Sequence, residues 1–198
     1  MSTRSAPALV VPVKAFHAAK ARLTPVLDEP SRAQLARAMA ARVLSAAGPA
    51  QRYVVCDDDG VADWAASLGH TVVWTPGQGL NGAVTIGVAQ ALDEGATRVV
   101  VAHADLPLAS TFEPVLNGPL TLVPDRRLDG TNVISLPAGA AARDFTFSYG
   151  PGSFGRHRHN ALLLGEVGVI HIDELSFDLD TPEDFRQWIS LSTSTPQP

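Results

Sequence analysis

The chain has 198 residues, 45% of them apolar, and a net charge of −5. That length suits one globular domain with a substantial core. The acidic balance excludes the broad basic surface needed for nucleic acid or an anionic membrane, so an anionic ligand must be held by a local cluster. No apolar run approaches the ~18–20 residues that span a bilayer, and the stretch before Lys14 does not read as a signal peptide. The lone cysteine, Cys56, excludes a disulfide within the chain, reads as a small core residue, and fits a reduced, cytoplasmic setting.

The first apolar run, "ALVVPV" (8–13), predicts a strand. Lys14, Lys20 and Arg22 follow its carboxyl end; such a loop can hold a polyphosphate or simply be solvated. "SRAQLARAMAARVLSAAG" predicts a helix with Ser31 as N-cap, Gln34 completing a capping box, and Gly48 closing it. Its apolar stripe is Leu35, Met39, Val43 and Ala46. "RYVVC" (52–56) and "TVVW" (71–74) are further strands. "TPGQGLNGAV" is a glycine-rich loop with Asn81 placed as N-cap of a helix over 82–95, which presents Val84, Val88 and Leu92 on one face. A loop lacking side chains lets a planar base approach the backbone, although glycine loops are common.

"TRVVVAH" (97–103) is a strand with Asp105 just beyond its carboxyl end, as a functional group or as a turn residue. "LTLVP" (120–124) and "NVISL" (132–136) are strands joined by "DRRLDGT", where Asp129-Gly130 suits a hairpin turn and Arg126 and Arg127 are either solvated or anion-facing. In "FTFSYGPGSFGRHRHNA", Gly150 and Ser153 precede a helix start, a position that suits a phosphate or a carboxylate. His157, Arg158 and His159 behind it point in different directions, and a histidine pair with no acid nearby reads as surface rather than as a metal site. "VGVIHI" (167–172) is the last strand. In "FDLDTPEDF", Asp178 and Asp180 point to one side of an extended segment. Thr181 caps a helix with Pro182 at its first position and Asp184 in its first turn. The acids are either a helix entry or, together with Asp105, an oxygen site for Mg²⁺.

Continuous rather than alternating apolar runs predict strands covered on both faces. With helices between them, the expected fold is α/β: a single Rossmann-like domain over 1–191, a mostly parallel central sheet with helices on both faces, and a C-terminal tail over 192–198. Neither a Walker pattern nor G-x-G-x-x-G is present.

Taken together, "VPVKAFHAAKARLTPVLDEPSRAQLARAM", "GLNGAV", "ADLP", "DGTNV", "GPGSFGRH" and "DLDTPEDF" resemble, in order, the guanylyltransferases of deazaflavin-coenzyme biosynthesis. These act on 2-phospho-L-lactate or, in actinobacteria, on phosphoenolpyruvate. The resemblance spans residues 8–190 and implies a nucleotidyltransferase of the GT-A-like superfamily. It implies Mg²⁺ held by Asp105 and by an acid of "DLDTP", Asp180 rather than Asp178. It implies GTP along the first-strand loop, with Lys14, Lys20 and Arg22 near its phosphates, Lys20 also catalytic, and Leu80 and Asn81 near the nucleoside. The phosphorylated three-carbon acid, phosphoenolpyruvate ahead of 2-phospho-L-lactate, is implied against Thr131, Gly150 and Ser153. The chain departs from the family at Ala104, where glycine is usual, in the histidine-rich "GRHRHNA", and in a short segment from Leu108 to Leu120. A nucleotidyltransferase for molybdopterin or a sugar phosphate, and a non-catalytic nucleotide-binding domain, stay open here, as does a homodimer.

Overall fold

In the computed structural model, residues 6–48 and 50–193 are described. All seven apolar runs form strands: β1 Ala8–Pro12, β2 Gln51–Cys56, β3 Thr71–Trp74, β4 Arg98–Ala102, β5 Leu120–Pro124, β6 Thr131–Pro137 and β7 Val167–Val169. They make one sheet in the order β3-β2-β1-β4-β6-β5-β7. β1, β2, β3 and β4 are parallel neighbours; β6 runs antiparallel to β4 and β5, and β7 pairs parallel with β5. The reversal at β6 follows from the short β5–β6 connection, whose tight turn permits only a hairpin.

Among the described residues seven α-helices flank the sheet: α1 Glu29–Ser45, α2 Asp59–Ser67, α3 Gly79–Asp93, α4 Ala140–Asp144, α5 Ser153–Leu162, α6 Asp173–Ser176 and α7 Pro182–Thr193. Strand side chains alternate between two cores. Leu9, Val11 and Val54 pack with Ala40, Val43 and Leu44 of α1 and Val61 of α2. Val10, Val55 and Val101 pack with Val84 and Val88 of α3 and Ala161 of α5. Gly87 lets α3 sit on the sheet, because a Cβ there would lie 2.6 Å from a Val55 methyl. The sheet is thus covered on both faces, as continuous apolar strands require.

Local sequence signals were misplaced at two helix starts. α1 starts at Glu29, not after Ser31: the Asp28 carboxylate caps it by accepting from the Ser31 N–H at 2.9 Å, and Pro30 fits in the first turn, where no N–H is needed. α3 starts at Gly79, so Asn81 lies inside its first turn and is not the cap. α7 spans Pro182–Thr193, and residues 194–198 of the expected tail lie outside the described residues. α2, capped by Asp58 through the Val61 N–H at 3.0 Å, stands where the sequence signalled no helix. Among the described residues no helix is long and apolar enough to cross a membrane.

Candidate active site

The carboxyl ends of β1 and β4 open on a cleft of about 420 Å³. Lys14, Lys20, Arg22, Leu80, Asp105 and Asp180 all line it. Six residues expected in the site from four separate segments therefore share one wall-to-wall space. β1 ends at Pro12, and the chain then makes two 3-10 turns, Phe16–Ala18 and Ala21–Leu23. Between them Lys20 takes φ 56 and ψ 38, a left-handed conformation unfavourable for a side chain with a Cβ. That geometry turns its side chain inward. Lys20 Nζ donates to Asp105 Oδ2 and Asp180 Oδ1, each at 2.7 Å, and the lysine side chain is only 8% exposed.

The acids are brought together by backbone. The Leu179 N–H donates to the Asp105 carbonyl at 3.1 Å, and the Asn132 amide donates to the Leu175 carbonyl at 3.0 Å. These bonds lace α6 onto the start of β6 and the α6–α7 loop onto the segment after β4. Burial pulls the Lys20 ammonium down, but the two carboxylates outweigh it and hold its pKa above the ordinary value. Burial pushes Asp105 up; Lys20 and then His103 outweigh it, and the carboxyl stays ionised below its usual range. Asp178 is pushed up by burial and then by the Asp105 charge. Its Oδ1 is buried without a partner, and Lys20 bridges Asp105 to Asp180 instead. Arg22 stands 3.7 Å from Asp180 Oδ2 with its side chain 76% exposed, a loose contact in solvent.

The donors suit Mg²⁺, which takes one or two carboxylates and completes its shell with water and phosphate oxygens. Asp105 and Asp180 each aim an oxygen at one point, and Asp105 Oδ1 is buried with no hydrogen-bond partner. Among the described residues no group of three or more His, Cys, Asp or Glu side chains is arranged to hold a metal, so substrate oxygens would have to complete the shell.

Thr131, Gly150 and Ser153 do not line this cleft; they form a second cluster beside it. The expected open N–H groups at the start of α5 are engaged. Ser153 N–H donates to the Gly150 carbonyl at 3.0 Å, Phe154 N–H to the Asp129 carbonyl at 2.9 Å, and Gly152 N–H to the Asp129 carboxylate at 3.1 Å. Arg156 folds back onto the loop, donating to the Ser148 and Pro151 carbonyls. His157 is fully buried, not on the surface, and burial lowers its pKa to about 4. Its Nε2 accepts the Ser148 N–H at 2.8 Å, so the ring proton sits on Nδ1, 3.0 Å from Thr131 Oγ1. Asn81 Oδ1 accepts the Tyr149 N–H at 2.7 Å, so its side chain fastens this loop to α3.

Arg126 and Arg127 face an anion, and it is the protein's own: Asp184, at 2.8 and 3.2 Å. Arg126 also lies over the Phe177 ring at 3.8 Å. Thr181 does cap α7, with its Oγ1 accepting the Asp184 N–H at 3.2 Å and donating to the Asp184 carboxylate at 2.8 Å.

Sequence reasoning passed over His103 and Tyr149. Their rings lie 5.1 Å apart, His103 Nδ1 is 3.9 Å from Asp105 Oδ1, and both His103 Nε2 and Tyr149 Oη are buried without partners. A histidine two residues before the strand-end acid was the available signal.

The family model described as "Guanylyl transferase CofC like" matches residues 8–193. The chain is 42% identical to a phosphoenolpyruvate guanylyltransferase of Rubrobacter xylanophilus, covering 90% of this chain and 91% of the relative. It is 32% identical to a phosphoenolpyruvate guanylyltransferase of Sphaerobacter thermophilus, covering 90% of each. A solved putative nucleotide-diphospho-sugar transferase from Desulfovibrio desulfuricans shares the fold, with a TM-score of 0.76 and 17% identity over 96% of this chain and 88% of that one.

Proposed function

The chain belongs to the CofC-like guanylyl transferase family and is a nucleotidyltransferase; from that premise we propose that it moves the guanylyl group of GTP onto phosphoenolpyruvate and releases pyrophosphate. The observation that carries the reading is one ammonium gripping two carboxylates, all from distant segments, in the cleft at the strand ends. The acceptor rests on the two relatives, both named for phosphoenolpyruvate. 2-phospho-L-lactate, which has the same three carbons and differs only in being saturated at the α- and β-carbons, is second. The product is an enolpyruvyl diphospho-guanosine, and its use in deazaflavin-coenzyme assembly is part of the proposal.

A phosphate oxygen of the acceptor attacks the α-phosphorus, a new P–O bond forms, the α–β bridge bond breaks, and pyrophosphate departs. The acceptor's second phosphate pKa is ~6, so it is already ionised near neutral pH and no strong general base is required. The obstacle is repulsion between two anions and their alignment. Lys14, Lys20 and Arg22 supply positive charge on one wall of the cleft, where the triphosphate lies and the leaving group develops charge. Leu80, in the first turn of α3, offers an apolar contact toward the nucleoside. Asp105 and Asp180 would hold Mg²⁺, which when bound supplies charge neutralisation across the phosphate oxygens.

The acceptor is assigned to the side of the cleft flanked by His103 and Tyr149, next to the start of α5 rather than on it, since Asp129 and the Gly150 carbonyl already engage the N–H groups there.

Pyrophosphate release is the test. Purified protein with GTP and Mg²⁺ should release it with phosphoenolpyruvate, more slowly with 2-phospho-L-lactate, and hardly at all with other nucleotides. Silence with every three-carbon phospho-acid would overturn the reading.

A further inference from the structure

Lys20 stands where the metal would. Its Nζ lies 2.7 Å from Asp105 Oδ2 and 2.7 Å from Asp180 Oδ1, so one ammonium fills the point on which both carboxylates converge. A divalent ion held by the same two oxygens would need that point, and two cations cannot share it. The lysine is not there by chance of a floppy chain. Its backbone is left-handed, it is flanked by two 3-10 turns, and its side chain is nearly buried. The other cations of the cleft do not compete for the position: Lys14 is exposed, and Arg22 reaches only the outer oxygen of Asp180, from solvent.

The geometry points to Lys20 as a placeholder cation, which occupies the metal position in the nucleotide-free protein and passes to the triphosphate when metal and nucleotide enter together. This rests on the reading of Asp105 and Asp180 as metal ligands. Without Lys20 the two carboxylates would face each other across a partly buried gap, repelling one another. With it they are compensated, and a free divalent ion must first break an ion pair at both oxygens. A metal–nucleotide complex avoids that penalty, because its phosphate oxygens receive the ammonium as it leaves the acids. The protein therefore discriminates against bare metal and takes its cation together with the nucleotide.

Titration with Mn²⁺ alone, followed by electron paramagnetic resonance, tests this without any turnover. Lys20→Met and Lys20→Gln should each bind Mn²⁺ tenfold or more tightly than the wild type, and adding Asp105→Asn should abolish the gain. If both Lys20 variants bind no tighter than wild type while Asp105→Asn still removes binding, the metal site stands and the placeholder role is overturned. If Asp105→Asn changes nothing in any background, the metal reading fails and takes the placeholder with it. The unmodified protein gives an independent readout. With ¹⁵N-labelled lysine, the slowly exchanging Lys20 Nζ signal should survive Mg²⁺ alone and shift on adding Mg²⁺ with a non-hydrolysable GTP analogue. A signal that the analogue leaves unmoved overturns the exchange.

Discussion

Asp180 and Asp184 stand four residues apart on one segment, and both meet cations, yet their surroundings differ. The Asp184 side chain is 2% exposed and accepts from Arg126, Arg127, the Thr181 hydroxyl, and the N–H groups of Asp180 and Thr181. Burial pushes its carboxyl up, but the Thr181 bonds and the rest outweigh that and hold it below the usual range. Asp180 is far more open, and its partner Asp105 keeps one buried oxygen with nothing to accept from. Around that oxygen, His103 Nε2, Tyr149 Oη and Asp178 Oδ1 are also unpartnered. Asp184 is fully paired within the protein, whereas Asp105 keeps one oxygen unpaired.

That contrast can be broken by exchanging the readouts. Asp105→Asn should lower guanylyl transfer by about 10³-fold or more, since it removes charge at the reacting phosphates, while the melting temperature stays within about 5 °C. A variant that keeps near-normal turnover would take Asp105 out of the chemistry. Asp184→Ala should do the reverse. Its arginine partners are 30% and 55% exposed, so the cost is mainly the lost hydrogen bonds, ~2–3 kcal/mol, which for a chain of this size lowers the melting temperature by about 8 °C. Calorimetry showing an unchanged melt would mean that the clamp is ornamental. The loss of activity in this variant should be smaller per folded molecule than in Asp105→Asn, because Asp184 reaches the site only by holding the Asp180 N–H.

A weaker effect comes from His157. Its folded pKa of about 4 lies below the ordinary value of 6.5, so the unfolded chain takes up a proton first as the pH falls. The stability it supports is complete above about pH 6.5 and declines toward pH 4. His157→Asn, which cannot titrate, should flatten that part of the melting-temperature profile. Parallel profiles for the two proteins would show that the buried ring is not the titrating group. Smallest of all, Thr181→Ala should cost ~1 kcal/mol through the lost cap of α7.

The strands could be read from sequence because burial on both faces writes an unbroken apolar run, as in "TRVVVAH". The position of Asp105 could be read too, since the end of such a strand is where an open sheet keeps its functional groups. The meeting of Lys20 with its acids could not. Its two bonds span 85 and 160 residues, and no local pattern encodes a pairing of that range. The same holds for Arg126 and Asp184: each residue was visible, and the partnership was not. The start of α1 went astray for the opposite reason, since Asp28 and Ser31 both carry capping chemistry and only packing decides between them. The start of α5 read as an anion seat because its glycines and serine fit one, but Asp129, brought in by the β5–β6 hairpin, already fills that place.

The long reach of Lys20 has a further meaning for how the molecule comes into being. A chain emerging from the ribosome lays down Lys20 160 residues before Asp180. Until the final strand has been added and the α6–α7 loop has closed onto β4, the lysine has at most one of its acids. Contacts of such range form late, after the local helices and the β1–β3 sheet can already exist. A fragment ending before Asp180 would keep the Lys20–Asp105 pair and lack its third member.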